Sequence, residues 1–436
     1  MFPRVPLEIH FLILANLDRQ ALYALCLTCK ALLRATERSL FLAVDETEVH
    51  LSETTRFLSF ARAVLRWPQV GWRVRELTLN TESMTGTASS RETFASFISL
   101  ERSLHLGTGQ RSASWWEEIS SLGIGCILAL LLTHTRHLEI LFLMADRTEL
   151  PPIIYLTRHM TGYLHTLEGL VVDCRPACNL ADLSPLMGLP NLQELSCWGC
   201  IGDNPIVAGG AVEIFQAPPA VNISVLDLRE CCMDERCMTA LVRACPKLES
   251  LTYEATNFPD IRYTNFSPSR LREVLHSHRD QLQQLELFLD CLELGSNMEL
   301  FQLSSPFDSF ARLEFLEIDQ IYLRDDHELP PTLRNLIISN CINPIFTFLQ
   351  HVARQVDSTL RCLEFINILL PNTPCIAVLD IDFNMATEDL IVERCNVITE
   401  MFQGTNVYIH FGENIWEKVR QHRATACGCK PLGSGQ

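Results

Sequence analysis

The sequence predicts an α/β protein: a small N-terminal helical module followed by a curved solenoid of strand-led repeats with a parallel inner sheet. Three observations predict it. A short pattern, apolar-x-x-Leu-x-apolar, recurs ten times between residues 74 and 365. Residues 6–36 carry apolar side chains at helical spacing instead. The hydrophobic share, 47% of 436 residues, is too high for a disordered chain.

Composition narrows the function classes. The formal net charge is −17, from 35 Lys+Arg against 52 Asp+Glu, which argues against broad phosphate neutralisation and so against nucleic-acid binding. The longest apolar stretch, residues 122–132, is shorter than the roughly 20 residues a membrane-spanning helix needs, so no membrane partner is expected. Residues 9–17 imitate a signal-peptide core, but Glu8 borders them and no small-x-small cleavage site follows. The 18 Cys are therefore expected as reduced thiols in an intracellular protein, cytoplasmic and/or nuclear.

The N-terminal module comes first in the chain. Ile9, Leu12, Ile13 and Leu17 fall on one helical face, and Leu22, Leu25, Cys29, Leu32 and Leu33 continue the spacing. Asp18 can cap the second helix, and Pro6 suits a first helical turn. About 40 residues cannot enclose that much apolar surface, so part of it must face another domain or chain. Residues 5–32, VPLEIHFLILANLDRQALYALCLTCKAL, resemble the F-box without a gap. Pro6, Glu8, Ile9, Ile13, Leu17, Asp18, Leu22, Cys29 and Lys30 stand at family positions. Val5, Thr28 and Leu32 depart from the family's Leu, Val and Trp. The resemblance implies a docking site for a Skp adaptor, with Pro6, Ile9, Ile13, Leu17, Leu22, Leu25 and Leu32 as its contacts.

The repeats follow. Their central leucines read 77, 141, 170, 195, 226, 251, 285, 316, 336 and 363, spaced 20–34 residues apart after a first gap of 64. Alternation around each one is strand-like. Residues 234–245 between two strands read as a capped amphipathic helix, with Cys237, Leu241 and Ala244 on one face. The stretch from Ile223 to Leu251 resembles the cysteine-containing leucine-rich repeat, in which a Cys or Asn five residues after the central Leu closes the turn. Cys200, Cys231 and Cys341 occupy that position. The expected organisation is an F-box-like module over 1–45, a helical bridge over 46–73 and a solenoid over 74–411. A mobile Ser/Thr-rich insertion is expected over 81–114, a helix over 115–133, an edge strand over 406–411, and a helix remnant with a disordered tail over 412–436.

Phosphate-loop, dinucleotide, nucleophile-elbow and zincin patterns are absent, so no catalytic residue, cofactor or metal is assigned. Cys197-x-x-Cys200 imitates a redox pair, but its two positions are a strand end and a turn. Cys231, Cys232, Cys237 and Cys245 match no paired zinc-knuckle spacing.

Residues flanking the central leucines line the inner face of a solenoid. That face presents Asp227, Glu254, Glu286, Glu317, Asp319 and Glu364, with Trp198 and Phe288 among them, and all of these but Asp319 are the candidate substrate contacts. It reads either as a solvated sheet face or as a groove for a protein substrate with a basic segment and an aromatic or aliphatic anchor. The charge is uneven: residues 1–44 hold five Lys+Arg and three Asp+Glu, so the later chain carries −19. The family resemblance implies a substrate-recognition subunit of an SCF-type cullin–RING ubiquitin ligase, without catalysis of its own. The alternatives are a repeat-based binding scaffold outside ubiquitination and an enzyme with a site on the concave face.

Overall fold

The structure is a computed structural model. It describes Leu17, Ala21 and residues 48–51, 54–80, 124–144, 164–202, 221–256, 268–288, 307–341, 344–369 and 388–411. The chain divides into two compact units, Met1–Cys178 with Asp182–Gln193, and Asn179–Ala181 with Glu194–Gln436.

The first unit contains β1 (Glu48–Leu51), α1 (Thr54–Arg66), α2 (Pro68–Gly71), β2 (Glu76–Asn80), α3 (Ile124–His134), β3 (Ile140–Met144) and β4 (Gly169–Asn179). Its strands pair in parallel and in chain order, aligning Val49, Leu77, Leu141 and Leu170. Along β2 and β3, residues alternate between buried and half-buried, as a sheet with one covered face requires. Leu77, Leu79, Leu141 and Leu143 meet the same core as Phe57, Ala61 and Val64 of α1 and Leu128 and Leu131 of α3. The segment expected as a helical bridge, 46–73, therefore opens with a strand. Four residues, EVHL, are too few to show a periodic signal, and pairing with β2 reveals them.

α4 (Leu180–Met187) lies at the division between the units. The second unit holds β5 (Glu194–Ile201), β6 (Val225–Cys231), α5 (Glu235–Ala244), β7 (Ser250–Ala255), α6 (Pro268–Leu275), β8 (Gln284–Phe288), β9 (Phe315–Asp319) and β10 (Asn335–Ser339). It ends with α7 (Phe346–Val356), β11 (Phe365–Ile368), α8 (Glu388–Met401) and β12 (Tyr408–Phe411). These strands are also parallel and sequential, which requires a crossover between each pair. Asp234 caps α5, its Oδ1 accepting from Cys237 N at 2.6 Å, and Cys237, Leu241 and Ala244 are buried together as their spacing predicts. Leu336 follows Leu316 at a spacing of only 20, and there the crossover contains a single 3-10 turn, Gln320–Tyr322, in place of a helix.

One backbone device repeats. The carbonyl two residues before a central apolar residue accepts two consecutive N–H groups from the next strand's entry. Glu314 N and Phe315 N donate to Gln283 O at 2.8 and 3.0 Å, and Arg334 N and Asn335 N donate to Glu314 O at the same distances. Glu364 N and Phe365 N likewise donate to Arg334 O. This sets Glu364 level with Arg334 and Ile366 level with Leu336. The last full repeat is therefore centred on Ile366, three residues beyond Leu363. Leu363 takes the place that Leu333 holds one strand earlier, each donating its N–H three residues back. The sequence LRCLEF fits the repeat pattern in the wrong frame because both Leu363 and Ile366 are buried.

Cys200, Cys231 and Cys341 are buried free thiols at the turn position. Cys341 Sγ donates to Ile338 O at 3.3 Å and Cys231 Sγ to Arg229 O at 3.2 Å, so each thiol satisfies a strand-end carbonyl. Burial pushes the Cys341 and Cys245 thiols up, Cys245 to about 12. The helix expected over 115–133 is described from Ile124 to His134, and the expected edge strand over 406–411 is β12. The insertion 81–114 and the tail 412–436 lie outside the described residues.

Candidate functional site

The candidate site is the sheet face of the second unit that is turned away from its buried central leucines. Its position follows from strand alternation: the central residues point into the core, so their neighbours point away from it. One row across this face runs Ser196, Asp227, Thr252, Glu286, Glu317, Ile337, Asn367 and His410, level from strand to strand. A neighbouring row sets Trp198 beside Arg229 and Glu254 beside Phe288. Asp227, Glu254, Glu286, Phe288 and Glu317 are half-buried on this face, and Trp198 is exposed. Six of the seven sequence-chosen residues are thus brought to one surface.

Glu364 is not among them. It precedes β11, its side chain is exposed, and Arg334 Nη1 donates to its Oε1 at 3.3 Å. The frame shift in the last repeat moves it off the face, and Asn367 takes the position it was expected to hold.

Arg229, which strand alternation also puts on this face although it was not among the seven, is the cation at the centre. Arg229 Nε donates to both carboxylate oxygens of Asp227, at 3.0 and 3.2 Å. Burial works against its charge, but Asp227, with Glu286 and Glu254 nearby, holds its pKa above the ordinary arginine value. The i, i+2 spacing of Asp227 and Arg229 on one strand was the available signal. A bulge between Leu228 and Cys231 lies next to it, with Glu230 in the left-handed region at φ 50°.

The carboxylates beyond Arg229 are held by neutral donors. Gln284 Nε2 donates to Glu286 Oε1 at 2.6 Å, Ser339 Oγ to Glu317 Oε1 at 2.9 Å, and Asn340 Nδ2 to the buried Asp319 at 2.7 Å. Asn340 adopts φ 49°, a left-handed conformation that asparagine tolerates better than most residues. Burial raises the pKa of Glu317. The Ser339 hydrogen bond and Arg229 oppose that shift, while Glu286 and Asp319 add to it. Four carboxylates, Asp227, Glu254, Glu286 and Glu317, thus act on one guanidinium, an arrangement that attracts further cations.

Of the seven expected adaptor contacts, Leu17 is a half-buried residue in a bend; Pro6, Ile9, Ile13, Leu22, Leu25 and Leu32 lie outside the described residues. Among the described residues, no group of three or more His, Cys, Asp or Glu gathers to hold a metal ion, and no helix is long and apolar enough to cross a membrane. Cys197 and Cys200 are buried free thiols.

No protein-family model matches the chain. No curated protein matches it either.

Proposed function

We propose that the chain is the substrate-recognition subunit of an SCF-type cullin–RING ubiquitin ligase in the cytoplasm or nucleus. In this reading residues 1–45 are an F-box that docks on a Skp adaptor through Pro6, Ile9, Ile13, Leu17, Leu22, Leu25 and Leu32. The later strands are leucine-rich repeats that hold a protein substrate. The protein works as a scaffold: it raises the local concentration of substrate near a ubiquitin-loaded enzyme and performs no bond chemistry itself. The observation that carries the reading is the parallel-sheet face turned away from the central leucines, where level rows bring Trp198, Asp227, Glu254, Glu286, Phe288 and Glu317 together. The gapless resemblance of residues 5–32 to the F-box supplies the adaptor half.

The test is co-purification with the Skp adaptor. Wild type is expected to retain it, and Ile13→Asp with Leu17→Asp to lose it, because a carboxylate in an apolar interface is left desolvated and unpaired. Retention by the double variant overturns the adaptor reading. Adaptor binding without ubiquitin transfer to any captured protein would mark a binding scaffold outside ubiquitination.

A further inference from the structure

The frame shift in the last repeat uncovers a second chemistry on the face of the second unit. Near its final strands the face is aromatic. Phe315, Asn335, Phe365 and Tyr408 are level across β9 to β12, with Ile337 one row on. The Phe365 and Tyr408 rings stack at 5.8 Å with 15° between their planes. The His410 ring lies 6.3 Å from Phe365, and its Nδ1 is 3.0 Å from Asn367 Oδ1. Tyr408 is 63% exposed, so much of this stack meets water. Exposed contiguous aromatic surface beside polar rows is the composition of binding surfaces, where rigid rings supply contact area at low entropic cost. The other end of the face holds the carboxylates around Arg229. The face is therefore polarised, anionic over β6 to β9 and aromatic over β11 and β12.

We propose that this face docks an extended peptide segment crossing the strands, with Lys or Arg side chains over Glu286 and Glu317 and a large apolar or aromatic side chain on the Phe365–Tyr408 stack. Charge complementarity selects the basic end, and the exposed ring stack selects the apolar one. Strand spacing sets the register between them. Adjacent strands lie about 4.8 Å apart, which separates the midpoint of β8 and β9 from that of β11 and β12 by about 14 Å, and Phe365 and Tyr408 stand two residues, about 6.6 Å, before the row of Glu286 and Glu317, so the two targets are about 16 Å apart. An extended chain advances about 3.3 Å per residue, so that distance falls between four and five residues, and of these two spacings only i+4 keeps both side chains on one side, the flexible basic side chain spanning the remainder. Side chains at i and i+4 of an extended segment point the same way, whereas i and i+3 point oppositely. The recognised pattern is thus a basic residue followed four residues later by an apolar anchor. Arg229 already occupies one side of the anionic end as an internal counter-ion of Asp227, so it competes with an incoming cation.

The inference rests on the substrate-binding half of the proposed function and is independent of adaptor docking. Fluorescence anisotropy of the full chain tests it with a fluorescein-labelled 12-residue Gly/Ser probe carrying Arg at i−2 and i and Trp at i+4. Control probes move Trp to i+3, replace it with Ala, or replace both Arg with Glu. The i+4 probe is expected to bind about five-fold or more tighter than each control, the equivalent of about 1 kcal/mol. Glu286→Gln with Glu317→Gln, and separately Tyr408→Ala, should each weaken it by a similar factor, while Arg229→Gln should tighten it. Tyr408 is largely exposed, so its truncation leaves the fold intact, and an unchanged circular dichroism spectrum checks this. Affinity that ignores Trp spacing, follows charge alone, or is absent for every probe overturns the proposal. Adaptor capture is measured on the same preparation. If the adaptor is held but the probes are not discriminated, this inference alone falls; the reverse result removes only the adaptor reading.

Discussion

Gly71→Ala separates packing from helix propensity. Alanine is normally preferred to glycine in a helix by roughly 0.5–1 kcal/mol, so propensity alone predicts a more stable first unit. The surroundings of Gly71 predict the opposite. A Cβ built there would lie 2.6 Å from His134 O and 2.9 Å from Val64 Cγ1, whereas ordinary contact begins at 3.4 Å. The shortfall against the carbonyl is about 0.8 Å, and the obstacle is backbone at the end of α3, which cannot rotate away. The end of α2 must move from α3, at a cost of about 1–3 kcal/mol for an overpacked site. The assay is hydrogen exchange followed by mass spectrometry on peptides covering 54–80 and 124–144, because global unfolding of a two-unit chain has no single free energy. Protection in both peptides should fall by roughly 5- to 150-fold, the equivalent of that cost. Unchanged or increased protection would refute the claim that the α2–α3 approach requires glycine.

Two further predictions follow from the second unit. Ile366→Ala should cost about 2–5 kcal/mol, as expected for a large aliphatic side chain lost from a core, whereas Glu364→Ala should change stability by less than about 0.5 kcal/mol. Hydrogen exchange followed by mass spectrometry on peptides covering 335–369 of the two variants checks this, and equal effects would reject the Ile366-centred frame. His278 supplies a pH dependence. Burial lowers its pKa from 6.5, partly opposed by the Val242 backbone, and Gln281 Nε2 lies 2.8 Å from its Nδ1. The folded chain therefore resists a proton that the unfolded chain accepts. The stability this group contributes is complete above about pH 6.5 and is lost as pH falls from there toward the lowered folded pKa. Hydrogen-exchange protection of peptides covering 268–288, corrected for the intrinsic exchange rate, should diverge between wild type and His278→Gln from about pH 7.5 to 5.5, with wild type losing more. A constant difference between them would exclude His278 as the cause.

The strand-and-crossover architecture was legible in the sequence because its cause is local. A leucine with apolar neighbours two residues away marks a strand with one covered face wherever it occurs, and nine of the ten central leucines occupy that role. The same alternation placed Asp227, Glu254, Glu286, Phe288 and Glu317 on a common surface without any coordinates. The α5 cap at Asp234 was legible for the same reason, since a cap is made within four residues.

Relations between strands were decided only in three dimensions. β1 carries too short a pattern to announce itself and exists by pairing with β2. The frame of the last repeat was ambiguous because Leu363 and Ile366 both satisfy an apolar pattern. The Arg334 carbonyl, accepting from Glu364 and Phe365, resolves it. That one choice removes Glu364 from the face and puts Asn367 there, and pairing with β12 stacks Phe365 on Tyr408. Periodicity states which side chains share a face within a strand. Backbone hydrogen bonds between strands set the register, and the register decides which chemistry meets across the face.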